Sequence, residues 1–224
     1  MSAVMQMVLS SSASFGVGGT WSFVGQSTAA TGSNPTITLP VGIASGDLIL
    51  ISVSASIMTT ATASGYSVAY QNYNNGAFDT DAVLLYKVAS GTEGGTGVSV
   101  TTDAIIEGSS AATVYRPSGT ITLGPVSGSE IDGNPSITNP SLTIEKDALI
   151  IVFNAFRRGT STGSVVIAPS GVTARHNLSS GVSYAGFWLG EVYAESTPTT
   201  EFSSTMNSAV NLEVVAVTAA FYSS

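Results

Sequence analysis

Between residues 47 and 57 apolar side chains fall at every second position: Ile49, Ile51, Val53, Ala55 and Ile57. The other parity opens with Leu48 and Leu50 and continues as Ser52, Ser54 and Ser56. A period of two marks a β-strand whose two faces meet different surroundings. The serine face reads as an outer sheet surface, where small side chains admit a neighbouring chain or layer; plain solvent exposure is the other reading. Similar strand-like runs recur in TWSFV (20–24), GYSVAYQ (65–71), DAVLLYKV (81–88), AATVYR (111–116), VSYAGFWLGEVYA (182–194) and VNLEVVAVTAAFY (210–222). ALIIVFNAF (148–156) is apolar on both faces, which predicts a central strand. No window sustains a helical period of 3.6. Gly, Asn and Pro fill the gaps, and Gly46-Asp47 and Asn75-Gly76 are turn formers. Roughly ten to twelve short strands separated by such turns predict an all-β fold, an antiparallel β-sandwich of jelly-roll-like kind.

Residues 1–19 end in SSSASFGVGG and read as a flexible or extended N-terminal arm, with residues 20–224 as a single β-sandwich domain. An internal echo joins NPTITLPVGIASGDLILISVSAS (34–56) to NPSLTIEKDALIIVFNAF (139–156). Two comparable hairpin units would produce it, and so would the common grammar of edge strand, turn and central strand. No interdomain linker is evident.

Composition narrows the function. Serine occurs 35 times and threonine 26 times, while only 9% of residues are charged, against about 25% in an ordinary soluble domain. At 43% hydrophobic the chain is nevertheless rich enough to bury a core. The net charge of -8, with six basic residues, argues against nucleic acid, whose phosphates need clustered Lys and Arg. No apolar run approaches the roughly 18 residues of a membrane-spanning helix. Cysteine is absent, so disulfides, thiol catalysis and thiolate metal sites are excluded.

Catalytic patterns are equally sparse. His176 is the only histidine, which rules out a multi-histidine metal site, and no nucleophile elbow accompanies it. Glu191 lies near Trp188 and Tyr193, yet alternation puts Trp188 and Glu191 on opposite faces, against one shared sugar-cleaving site. The expectation is no enzyme, no metal and no cofactor.

Four segments in order, PVGIASGDLILISVSA, SGYSVAYQ, DAVLLYKVASGTEGGTGVSVT and AATVYRPSG, resemble a broad group of β-rich bacteriophage virion proteins. Members occur as capsid decoration or head-fibre components and as tail-associated modules. The matching positions are Gly46-Asp47, Gly65-Tyr66 (where the pattern usually has Gly-Trp), Tyr86, Glu93 and Tyr115-Arg116. The resemblance spans residues 34–222, more loosely in the later half. It implies a jelly-roll-like, oligomeric protein displayed on a virus particle, a structural hydrogen-bonding role for Arg116, and no catalytic residue.

The resulting expectation is a capsid decoration or cement protein that binds and stabilises the phage head lattice. Its partners would be the major capsid protein and itself, as a homotrimer, with no nucleic acid and no membrane. It would sit on the capsid surface of the virion, and in the host cytoplasm during assembly. Phe15, Val17 and Trp21 are the candidate lattice contacts of the arm, although Trp21 and Phe23 also read as a first core strand. Two alternatives stand beside this: a tail-fibre or baseplate carbohydrate-binding module using Tyr73 and Phe78, and a self-assembling shell or tube subunit.

Overall fold

The computed structural model describes residues 19–73, 80–103, 106–158, 165–178, 185–195, 201–206 and 212–224. The first half of the chain supplies β1 (Trp21–Gln26), β2 (Ala30–Gly32), β3 (Thr36–Thr38), β4 (Leu48–Ser56), β5 (Ala61–Ala63), β6 (Ser67–Asn72), β7 (Asp81–Val88), β8 (Gly97–Thr102) and β9 (Ile106–Pro117). The second half supplies β10 (Ile121–Asp132), β11 (Ser136–Asn139), β12 (Ala148–Arg158), β13 (Val165–Ile167), β14 (Thr173–Leu178), β15 (Gly186–Ala194), β16 (Phe202–Met206) and β17 (Leu212–Ser223). The protein is all-β, and its strands pair antiparallel in several sheets, as the alternation predicted.

Each half builds one large and one small sheet. The large sheets run β1-β9-β4-β7-β6, with β2 added on β9, and β10-β17-β12-β15-β14. The small sheets run β3-β8-β5 and β11-β16-β13. Leaving out β2, the two halves therefore share one strand plan. Hydrogen bonds repeat as well: Val100 N donates to Pro35 O and Met206 N to Pro135 O, both at 2.9 Å. Ser118 N donates to Thr20 O and Ser224 N to Thr120 O, at 2.9 and 3.0 Å. The echo in the sequence is thus a doubling of a whole unit, extending well beyond a hairpin. Its register differs from the reading above: NPTIT (34–38) matches NPSIT (134–138), not the Asn-Pro at 139.

Three apolar cores explain the layering. In β4, Ile49, Ile51, Val53 and Ala55 pack with Ile37, Val100 and their neighbours, between the first large sheet and its small sheet. In β12, Ala148, Ile150, Val152 and Phe156 do the same with Ile137, Phe202 and Met206. The opposite faces of the two large sheets meet in a shared core. There Leu48, Leu50, Leu84 and Tyr115 lie with Leu149, Ile151, Phe153, Phe187 and Phe221. Contacts across it are reciprocal, β4 with β15 and β12 with β7, β6 with β17 and β14 with β9, as in a two-fold dimer interface. Ser56 and Arg157 hold equivalent positions and touch, Arg157 Nη1 donating to Ser56 Oγ at 2.6 Å.

This layering corrects the reading of the serine face. Ser52, Ser54 and Ser56 are 1%, 0% and 0% exposed and share the parity of Leu48 and Leu50, which enter the shared core. The neighbouring layer that small side chains admit is the second half of the same chain. By strand register Ser52 corresponds to Phe153 and Ala82 to Phe187. At these two places the first half presents a small group and the second an aromatic ring, which lets the faces interdigitate.

Candidate functional site

Gly46-Asp47 turns the chain and locks it. Gly46 has φ of 91°, a left-handed conformation that glycine adopts without steric cost. Asp47 is 1% exposed. Its Oδ2 accepts from Ala44 N at 2.8 Å, and Arg116 donates to both oxygens, Nε to Oδ1 and Nη2 to Oδ2, each at 2.8 Å. Arg116 Nη2 also reaches Gly42 O at 2.9 Å. The bidentate pair ties the turn before β4 to the end of β9, the structural role that the resemblance implied. Glu93 holds the next loop in the same manner. It accepts from Ser90 N and Gly91 N at 2.9 Å and pairs with Lys87 Nζ at 2.9 Å. Burial pushes its carboxyl up, but the bonds from Lys87 and Ser90 outweigh burial and hold it well below the ordinary carboxylate range.

The residues weighed for catalysis lie inside. His176 is 5% exposed on β14, with Nε2 3.3 Å from Ala112 O and its ring edge-on to Phe187. Burial lowers its pKa despite that contact, which keeps the imidazole neutral. Glu191 is 2% exposed and faces the shared core rather than solvent, opposite in parity to Trp188, which packs in the outer core. Arg175 forms an ion pair with Glu191 and stacks its guanidinium on Phe23, 3.6 Å from the ring centroid. The Glu191 bond raises the pKa of Arg175. Tyr115, also buried, has its phenol pushed well up by burial and then by the Glu191 charge. Phe23, Arg175 and Glu191 thus form a closed rung of aromatic ring, guanidinium and carboxylate.

One step nearer the rim the arrangement opens. Gly19, Thr20 and Trp21 lead into β1; Asp147 and Ala148 open β12; Tyr193 and Ala194 close β15. Together they line a cleft of about 160 Å³. Trp21 and Phe23 are two residues apart on β1, and Tyr193 and Glu191 two apart on β15, so each pair shares a face. Tyr193 is 40% exposed, and its phenol is pushed up to about 12 by burial and then by the Glu191 charge. Asp147 is half-buried, with no ion-pair or hydrogen-bond partner among the described residues. No group of three or more metal-ligating side chains occurs among the described residues.

The residues singled out from the sequence scatter. Trp21 is half-buried in β1 opposite Pro117 and packs on the shared core while edging the cleft. Tyr73 is half-buried against the outer core of the first half, and its phenol oxygen accepts from Ala61 N at 3.2 Å. Phe15, Val17, Asn75, Gly76 and Phe78 lie outside the described residues. Asp147 and the stacking of Arg175 were not anticipated. The doubled register was the available signal for Asp147, because it places an acid at the mouth of the second long strand. No family model matches the chain, and no match was found among curated proteins or solved structures.

Proposed function

We propose that the chain is a non-enzymatic structural protein of a bacteriophage particle, a decoration or cement protein bound to the head lattice. In this reading each half is a jelly-roll-like sandwich of one large and one small sheet. The observation that carries it is where the reactive side chains are placed. Glu191 and His176, the acid and base a hydrolase would use, are sealed at 2% and 5% exposure and hold sheets together instead of facing a substrate. The segments that resemble phage virion proteins support the particle location. The major capsid protein is the proposed partner. A trimer about a capsid axis rests on the resemblance alone, since the serine face that suggested self-association is inside the chain.

The test is co-sedimentation of the purified protein with empty heads of the virus that encodes it. Saturable binding at a fixed ratio to the capsid subunit, with heads that resist heat or pressure better, is the expected result. Absence of binding to heads, together with turnover of a polysaccharide, overturns the reading.

A further inference from the structure

The doubled fold provides an internal comparison for the rim cleft. By strand register Trp21 corresponds to Ile121, Tyr193 to Val88 and Asp147 to Gly46. Gly46 and Asp47 line the counterpart depression with Gly119, and there Arg116 from the same half already occupies the acid. The two halves thus have the same backbone plan but different chemistry at this place. One has two aliphatic side chains and a glycine at these positions, and the acid beside the glycine, Asp47, is closed by its own arginine. The other has two aromatic rings and an acid without a cation.

We propose that the Trp21–Asp147–Tyr193 cleft binds an arginine side chain presented by another polypeptide. The adjacent rung shows how this pair of strands treats a guanidinium: Phe23 stacks on Arg175 and Glu191 pairs with it. The cleft repeats the rung with Trp21 and Tyr193 as rings and Asp147 as carboxylate, and the guanidinium comes from outside. Aromatic faces attract cations, tryptophan most strongly and guanidinium most often. Apart from Thr20, Asp147 and the aromatic tips, the lining is glycine and alanine. That suits an alkyl stem with one charged head better than a sugar, which needs several hydrogen-bonding groups. The net charge of -8 draws basic partners toward the surface. This inference holds whether or not the chain belongs to a virion.

The experiment titrates the full chain with N-acetyl-arginine amide and follows tryptophan emission. Trp188 is 1% exposed in the outer core, so a change reports on Trp21. A saturable change is expected with the arginine compound and none with the neutral citrulline analogue. Asp147→Asn is expected to weaken binding about tenfold and Tyr193→Ala about threefold to fivefold, with both variants melting near the parent temperature. No saturable change, equal binding of the citrulline analogue, or full affinity in Asp147→Asn each overturns the proposal. Agmatine binding more tightly than the capped arginine also overturns it, since the ligand would then be a free base and not a peptide.

Discussion

Glu191 and Arg175 illustrate what burial does to single residues here. The Glu191 side chain is 3% exposed and that of Arg175 21%, so removing the cation leaves a carboxylate with little access to water. Arg175→Leu is predicted to cost about 3 kcal/mol in urea unfolding. Arg175→Leu combined with Glu191→Leu should recover most of that, because an apolar pair fits the surrounding core. Equal losses in the single and double variants would mean the ion pair has no special standing. His176 sets a pH dependence. Its folded pKa lies below the ordinary value, so the unfolded chain binds a proton more readily. Stability should therefore fall as pH drops from about 7 to about 5. In His176→Gln the melting temperature should be flatter over that window. A further loss is expected in stronger acid, below about pH 4, because Lys87 and Ser90 hold Glu93 below its ordinary range, and hydrogen bonds from Thr59 and Thr60 do the same for the Asp103 carboxylate.

At the scale of elements, alternation revealed the strands but not their layers. Ile49 to Ala55 and Leu48 to Ser56 were separable by parity, and both parities of β4 are buried. Serine at every second place looks the same whether it meets water or a phenylalanine from another sheet, so parity alone could not choose. The choice depends on Phe153 and Phe187, about a hundred residues distant in sequence. The repeat was legible as an echo, yet its register was not. Ile137 is the equivalent of Ile37, but the equivalent of Leu48 is Leu149 and not Ala148, a slip of one residue that turns each side chain of the long strand to the other face if the sequences are simply overlaid. The same slip hid the cleft, because Asp147 overlays Asp47 in sequence but faces the shared-core side. The turn at Asp47 was readable from Gly-Asp alone, since the chemistry is local.

As a whole molecule the protein is a doubled unit whose two large sheets share one core. The shared core contains large side chains from both halves, so neither large sheet can shed the other without exposing them. The halves are predicted to unfold together. Trp21 reports on the first and Trp188 on the second, and single-tryptophan variants made with Trp→Phe should give coincident urea midpoints. Separate midpoints would show two independent units. The serine face of β4 is the seam between the halves. The absence of cysteine makes this directly measurable by thiol labelling. Ser54→Cys adds a near-isosteric thiol at a position 0% exposed, and Ser170→Cys adds one at an exposed turn. Under native conditions the Ser170→Cys variant is expected to react with maleimide at the rate of a free thiol, and the Ser54→Cys variant only as fast as the whole protein unfolds. Equal labelling rates at the two positions would contradict it.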